Sequence, residues 1–221
     1  RQMALLNGIP QMRRGEFLAE LSGEFKQVVA IGGSHGKTTT TAMVAHILKK
    51  LGYEPGFMVG ATVMGWERSA SAGTRRVLVT EVDESDGTQA ILKTDIAMML
   101  NVDDDHFWSS GGEDKLVACF KTFAGLSKYP MIFSDDEKSS RIFADVPGMH
   151  RVNIDNDITL PIPGTFNIRN ASAAVRIAEL LGCRRGDAIA ALTDFPGVAR
   201  RMNLIYSSDD NQSVVVEDYA H

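Results

Sequence analysis

The strongest chemical signal in this sequence is a glycine-rich run, GGSHGKTT at 32–39, that places a lysine and a threonine directly after a loop. An apolar run at 27–32 (QVVAIG) precedes it and predicts a buried strand, and a helical pattern over Thr38–Leu51 follows. Glycines let the backbone turn so that its N–H groups point at phosphate oxygens, and the start of a helix adds partial positive charge. The arrangement therefore predicts a phosphate-binding loop.

Within this loop, Lys37 can bridge the β- and γ-phosphates of a nucleotide, and the Thr38 hydroxyl can bind Mg²⁺. The strict motif has a glycine where this chain has Ile31, so a plain strand–helix turn with an incidental lysine is the alternative. The coincidence of strand, Gly-Lys-Thr and helix favours the phosphate loop. The predicted phosphate contacts are Gly32, Gly33, Ser34, His35, Gly36, Lys37, Thr38 and Thr39.

Two acidic segments follow two further apolar runs. EVDESD at 81–86 ends the predicted strand 77–82, and NVDDDH at 101–106 ends the predicted strand 96–102. Ligands bind at the carboxyl ends of parallel strands, so both segments are expected to converge on the phosphate loop. Hard cations prefer oxygen ligands, which makes Glu81 and His106 the candidates to hold a metal directly or through water. The alternative is that both segments are solvated acidic turns that cap helices.

The order of elements predicts the class of fold. Nearly continuous apolar strands alternate with helical patterns, including those over Asp114–Leu126 and Asn167–Leu181. Such interleaving favours a mostly parallel α/β sheet that is flanked by helices on both faces, of the phosphate-loop type. The polar segment Asp135–Leu160 is predicted to be a small β excursion, and Ser213–Glu217 a last strand.

Composition excludes several other classes of protein. The 221 residues carry a net charge of −5, so the sequence predicts no nucleic-acid surface. The longest apolar runs are too short for membrane insertion, and the first residues do not resemble a signal peptide. The two cysteines have no disulfide or zinc spacing. These features predict a cytoplasmic protein and leave its oligomeric state open.

Six motifs in order resemble those of the Mur ligase family. Taken together they span nearly the whole chain, which makes the resemblance far more specific than any single motif. The motifs are GSHGKTTTT at 33–41, EVDESD at 81–86, NVDDDH at 101–106, PGTFNIRN at 163–170, FPGVARR at 195–201 and VEDYAH at 216–221.

The resemblance implies an ATP- and Mg²⁺-dependent amide ligase of peptidoglycan precursor synthesis. Its substrates would be UDP-N-acetylmuramate and L-alanine, joined through an acyl phosphate. A murein tripeptide-recycling ligase, or a stand-alone module that hydrolyses or senses ATP, remains an alternative. The implied roles are phosphate binding by Lys37, one Mg²⁺ held by Thr38 and Glu81, a second metal held by His106, adenine-side contacts from Asn167 and Asn170, a phosphate contact from Arg200, and a ribose or hinge contact from Asp218.

The resemblance also has departures and a domain consequence. Phe166 stands where the family has histidine, and Lys121 falls near the spacing of a carbamoylated lysine in some members, although its helical position favours an ordinary surface lysine. Residues 1–24 are expected to form an interdomain connector and a short helix, and residues 25–221 the central ATP-binding domain. The family's N-terminal UDP-binding domain and C-terminal domain are expected to lie outside this sequence.

Overall fold

The computed structural model describes residues 6–83, 87–103, 112–208 and 213–219, and a seven-stranded sheet forms its centre. The strands of this sheet are β1 (Gln27–Gly32), β2 (Gly56–Met58), β3 (Ala70–Ser71), β4 (Val77–Glu81), β5 (Thr94–Met99), β6 (Ser127–Phe133) and β7 (His150–Val152). Their order is β3-β2-β4-β1-β5-β6-β7, and all neighbours run parallel except the antiparallel pair β2 and β3. The predicted mostly parallel α/β fold is confirmed.

Helices cover both faces of the sheet. They are α1 (Arg14–Ser22), α2 (Lys37–Lys50), α3 (Glu113–Gly125), α4 (Glu137–Ile142), α5 (Thr165–Leu180) and α6 (Arg185–Leu192), with a 3₁₀ turn at Thr88–Ala90. Helices α2, α5 and α6 pack on one face, and α1 and α3 on the other. No helix among the described ranges is both long and apolar enough to cross a bilayer.

The central strand β1 shows why the sheet needs two helix layers. Val29 and Ile31 point into the core beneath α2, whereas Val28 and Ala30 point into the core beneath α3, and all four are at most 6% exposed. Successive side chains of a strand alternate between faces, so a strand that is apolar at every position must be covered on both. The uninterrupted apolar run in the sequence encodes this double burial.

Helices α2 and α3 differ in how deeply they are buried. In α3, the buried side chains of Leu116, Phe120 and Phe123 repeat at helical spacing and face the sheet. In α2, every residue from Thr38 to Leu48 is buried, because the helix packs against the sheet on one side and against α5 and α6 on the other. Burial around the whole circumference of α2 fixes the position of its first turn, where the predicted phosphate loop ends.

The prediction of a small β excursion over Asp135–Leu160 is wrong. A helix, α4, forms there because the Asp136 carboxylate caps it by accepting a hydrogen bond of 2.9 Å from the Ser139 N–H. The strand β7 then joins the edge of the main sheet, parallel to β6. The predicted last strand exists as β9 (Val214–Glu217), but it pairs with β8 (Asn203–Ser207) in a separate two-stranded antiparallel sheet.

Candidate phosphate-binding site

The loops after β1, β4 and β5 meet at one edge of the sheet. These strands are direct neighbours, with β1 between the other two. Hydrogen bonds continue past the strand ends, from Val82 N to Ile31 O at 3.0 Å and from Leu100 N to Gly32 O at 2.9 Å. The carboxyl edge of a parallel sheet is where such folds bind ligands. The structure therefore brings the predicted phosphate loop and the start of both acidic segments together.

The last residue of the loop, Gly36, is held against α5. Its φ of 84° lies in the left-handed region, which side chains disfavour. A Cβ atom at this position would lie 2.5 Å from Oδ1 of Asn170, which is itself only 7% exposed. The amide of Asn170 thus packs directly against Gly36, and the space between them admits only a glycine.

The loop is also held by Asn101, which lies two residues beyond the end of β5. Asn101 Oδ1 accepts a hydrogen bond of 2.8 Å from His35 N, and its Nδ2 donates one of 3.1 Å to His35 O. Next to this pair, Asp103 N donates to Ser34 Oγ at 2.9 Å. The His35 ring lies 3.9 Å from the Asp103 carboxylate. The sequence analysis includes Asn101 in the NVDDDH motif but gives it no role, although a polar amide near a strand end beside a glycine loop is a signal that could have assigned one.

The side chain of Lys37 lies over the loop from which it starts. Its Nζ donates hydrogen bonds to the carbonyl oxygens of Gly33 at 2.5 Å and of Ser34 at 3.4 Å. The ammonium group is therefore held near the backbone N–H groups of the loop and the N-terminus of α2. Positive charge, loop amides and a helix N-terminus at one place form a site suited to an anion.

Thr38 and Glu81 are brought together although they lie 43 residues apart in the chain. The Thr38 hydroxyl, in the first turn of α2, donates a hydrogen bond of 2.7 Å to Oε2 of Glu81 at the end of β4. Thr39, which follows it, is 6% exposed and packs within the helix layer. A hydroxyl and a carboxylate are both hard oxygen donors, which is the chemistry that Mg²⁺ selects.

The described ranges contain no group of three or more His, Cys, Asp or Glu side chains that could hold a metal ion without other ligands. Mg²⁺ bound with a nucleotide does not require one, since it commonly takes one or two protein oxygens and completes its shell with phosphate oxygens and water. The pair of Thr38 and Glu81 fits that pattern. His106, the other predicted metal ligand, lies outside the described residues.

Asn167 and Asn170 both lie buried in the first half of α5, at 2% and 7% exposure. Asn167 Nδ2 donates a hydrogen bond of 2.6 Å to Pro163 O, and Asn170 Nδ2 donates one of 3.4 Å to Asn167 Oδ1. These bonds hold the amide of Asn170 at the start of α5, where its Oδ1 lies beside Gly36 of the loop. The neighbouring Phe166, where the resemblance leads one to expect histidine, is instead 50% exposed.

Arg200 and Asp218 lie together at the base of the β8–β9 hairpin. The Arg200 guanidinium stacks 4.6 Å from the ring centre of Tyr219, and Tyr219 N donates a hydrogen bond of 2.7 Å to Arg200 O. The Asp218 carboxylate accepts a hydrogen bond of 2.7 Å from Met202 N. In this structure these bonds connect Arg200 and Asp218 to the hairpin.

Lys121 is a partly exposed residue of α3. Its ammonium group contacts the Asp145 carboxylate at 2.8 Å, and this contact holds the pKa of Asp145 below its usual value. Since both partners are substantially exposed, the ion pair adds little to stability.

Known proteins that are similar to this chain belong to one family of ligases. The profile of the Mur ligase middle domain matches residues 31–152. The chain is 36% identical over 250 residues to the UDP-N-acetylmuramate–L-alanine ligase of Acidithiobacillus ferrooxidans. It is 31% identical over 252 residues to the enzyme of that name from Rhizobium meliloti. Each alignment covers 96% of this chain and 53% of the relative, so the chain spans about half the length of these proteins.

Solved structures show the same fold. The UDP-N-acetylmuramate–alanine ligase of Thermotoga maritima superposes with a TM-score of 0.84 at 26% identity, over 99% of this chain and 56% of that one. A murein peptide ligase from Psychrobacter arcticus superposes with a TM-score of 0.79 at 22% identity, over 100% of this chain and 57% of that one.

Proposed function

Since the chain belongs to the Mur ligase family, we propose that it forms the ATP-binding part of a ligase that joins L-alanine to UDP-N-acetylmuramate. The observation that carries this proposal is the arrangement at the sheet edge, where Lys37 lies over a glycine loop and Thr38 pairs with Glu81 at 2.7 Å. This arrangement offers donors to a triphosphate and hard oxygens to its cation. ATP hydrolysis would use the same phosphate donors and cation ligands, so the choice of ligation is supported by the relatives named UDP-N-acetylmuramate–L-alanine ligases.

The proposed role of the loop is to hold and orient the phosphates. The N–H groups of residues 32–36 and the Lys37 ammonium neutralise charge on the β- and γ-phosphates, so that a substrate carboxylate can approach the γ-phosphorus. Asn101 and Asn170 contribute by fixing the loop from two sides through His35 and Gly36. A loop held rigidly before ATP arrives loses little freedom on binding, which favours precise positioning of the reacting groups.

Thr38 and Glu81 are the residues that would hold Mg²⁺. When bound, the cation would neutralise negative charge on the phosphoryl group that is transferred. Thr38 is 7% exposed and fixed by the buried helix α2, so one of the two donors is rigid. We propose His106 as the ligand of a second cation, on the strength of its motif alone.

The relatives' names support the choice of substrate. The similar curated proteins are named UDP-N-acetylmuramate–L-alanine ligases, at 31% and 36% identity. A murein peptide ligase shares the fold at 22% identity, so a peptide in place of L-alanine is the second candidate. The same activation of a carboxylate by ATP would serve both reactions, and the two differ in the amine that is accepted.

We also propose that the other reactants bind to further parts of the protein. Amide formation requires a carboxylate, a γ-phosphate and an amine held within reacting distance. The sheet edge described above offers a site for the phosphate, and residues 25–221 would form the central domain that carries it. Domains that close over such an edge commonly complete a ligase site and exclude water.

The proposal is tested by phosphate release from ATP by the full-length protein, with UDP-N-acetylmuramate and either L-alanine or the murein tripeptide. We expect release to require both UDP-N-acetylmuramate and L-alanine, with mass spectrometry identifying the amide product. Release with UDP-N-acetylmuramate and the tripeptide, but not with UDP-N-acetylmuramate and L-alanine, would identify the murein peptide ligase instead. Release that depends on neither amine would indicate an ATPase and contradict the proposal.

A further inference from the structure

A glycine outside the phosphate loop, Gly60, lies directly against the carboxylate of Glu81. A Cβ atom at Gly60 would lie 1.8 Å from Oε1 of Glu81 and 2.9 Å from its carboxyl carbon. Neither distance is compatible with non-bonded atoms, so a side chain at this position and the present orientation of Glu81 exclude each other. The strand β2 ends just before Gly60 and runs parallel to β4, which ends at Glu81.

Backbone conformation does not explain why glycine stands there. The φ angle of Gly60 is not positive, so an L-residue could adopt this φ without entering the left-handed region. Gly60 is also exposed, and the three heavy atoms nearest to an added Cβ all belong to Glu81. The space that the Glu81 carboxylate occupies is therefore the specific constraint on this residue.

The backbone around Gly60 has little freedom to move away from Glu81. On one side, Val59 N donates a hydrogen bond of 2.9 Å to Ser69 O. On the other side, Met64 N donates to Gly197 O at 3.0 Å, and Ala199 N donates to Thr62 O at 2.9 Å. Between these bonds, Val63 is fully buried and pairs with Val198. An added methyl group would displace the far end of Glu81 rather than the backbone.

We propose that Gly60 is a positioning residue for Glu81, and that its missing side chain lets the carboxylate reach the Thr38 hydroxyl. Glu81 Oε2 accepts the 2.7 Å hydrogen bond from Thr38, while Oε1 lies over the Gly60 backbone. A methyl group at Gly60 turns the carboxylate away from Thr38 and separates the two oxygen donors. This inference rests on the proposed function, because the ATP affinity that tests it is measured for Mg²⁺–ATP bound at these residues.

The variant Gly60→Ala tests the proposal in the full-length protein. We expect the affinity for ATP in the presence of Mg²⁺ to fall about tenfold, as for loss of one charge-assisted contact, and the affinity in EDTA to stay unchanged. Glu81→Ala should show the same loss, and the double variant should lose no more than Glu81→Ala alone. The matched control is Gly186→Ala, where an added Cβ meets nothing within 4 Å.

A thermal unfolding cycle without nucleotide separates this proposal from the proposed function. The Tm change caused by Gly60→Ala should be more favourable by about 2 °C or more in the Glu81→Ala background than in the parent, because the overlap is then gone. If the parent fails to bind Mg²⁺–ATP but this coupling is present, only the proposed function is wrong. Additive Tm changes, or full Mg²⁺–ATP affinity in Gly60→Ala, would overturn the role of Gly60.

Discussion

Oδ1 of Asn170, on α5, lies 2.5 Å from the point that a Cβ atom of Gly36 would occupy. This relationship joins the phosphate loop to a helix from a distant part of the chain. Gly36 also has a φ of 84°, so two independent constraints require glycine at the last position of the loop. The supports of the loop therefore include side chains on neighbouring elements as well as its own sequence.

Gly36→Ala should destabilise the protein. The left-handed backbone costs a side chain about 1–3 kcal/mol, and the contact with Asn170 adds to that cost. Urea unfolding of the free protein measures the loss. If the Asn170 amide is removed first, Gly36→Ala should lower the free energy of unfolding by less than it does in the parent. The double variant Gly36→Ala/Asn170→Ala, compared with Asn170→Ala alone, measures this difference. Gly52→Ala serves as control, since its φ of 77° is also left-handed but an added Cβ there meets nothing within 4 Å; a Gly36→Ala loss no larger than that of the control would contradict the contact.

Lys37→Ala should weaken ATP binding while leaving the fold intact. The ammonium group lies over the loop carbonyls, and a hydrogen bond to a charged group contributes about 1.5–3 kcal/mol, which corresponds to a fall in affinity of roughly tenfold or more. Calorimetric titration with ATP measures the change. Lys115→Ala, which removes an exposed lysine of α3, controls for net charge. Equal ATP affinities for the Lys37→Ala and Lys115→Ala variants would show that the loop has been misassigned.

Glu81→Gln should remove the Mg²⁺-dependent part of nucleotide affinity. The amide oxygen of glutamine can still accept the hydrogen bond from Thr38, so the change removes charge with little loss of contact. A neutral amide is a weaker ligand for a hard cation than a carboxylate, so we expect the ATP affinity measured with Mg²⁺ to approach that measured in EDTA. Glu113→Gln, on the surface of α3, is the matched control. A Mg²⁺ effect as large as the parent's in Glu81→Gln would exclude Glu81 as a ligand.

Stability should fall in mild acid because of His46, a residue of α2 that is 5% exposed and contacts Ala191 O of α6. Burial lowers the pKa of His46 below its ordinary value of 6.5, although the neighbouring Asp194 carboxylate opposes the shift. The unfolded chain therefore takes up the proton first as the pH falls. The stability from neutral His46 is present above pH 6.5 and is lost as the pH falls from 6.5 through the folded-state pKa.

The loss amounts to about 1.4 kcal/mol for each unit by which the pKa of His46 is lowered. Urea unfolding between about pH 5 and pH 8 measures it, in the window where histidine titrates. In His46→Gln this part of the pH dependence should disappear, whereas it should persist in His150→Gln, which replaces a half-buried histidine of β7. A pH profile of His46→Gln that matches the parent's would assign the titration to other groups.

Local sequence determined the elements that build the phosphate loop. The run QVVAIG at 27–32 is a strand in the structure with the bounds that its apolar pattern predicts, and the helical pattern after Lys37 is α2. Both follow from chemistry that is contiguous in the chain, since periodic apolar residues, turn glycines and the helix start need no distant partner to be recognised. The helical pattern over Asp114–Leu126 likewise predicts α3, which spans Glu113–Gly125.

Tertiary structure alone decided how these elements meet. Three contacts join segments that are far apart in the chain. They are the hydrogen bond from Thr38 to Glu81, the close approach of Asn170 to Gly36 and the close approach of Glu81 to Gly60. They depend on the order of strands in the sheet and on the layer to which each helix packs. Apolar periodicity says that a strand is buried but not which strand lies beside it. For that reason Glu81 could be proposed from its place at the end of a strand, whereas Gly60 acquired a role only once β2 was found beside β4.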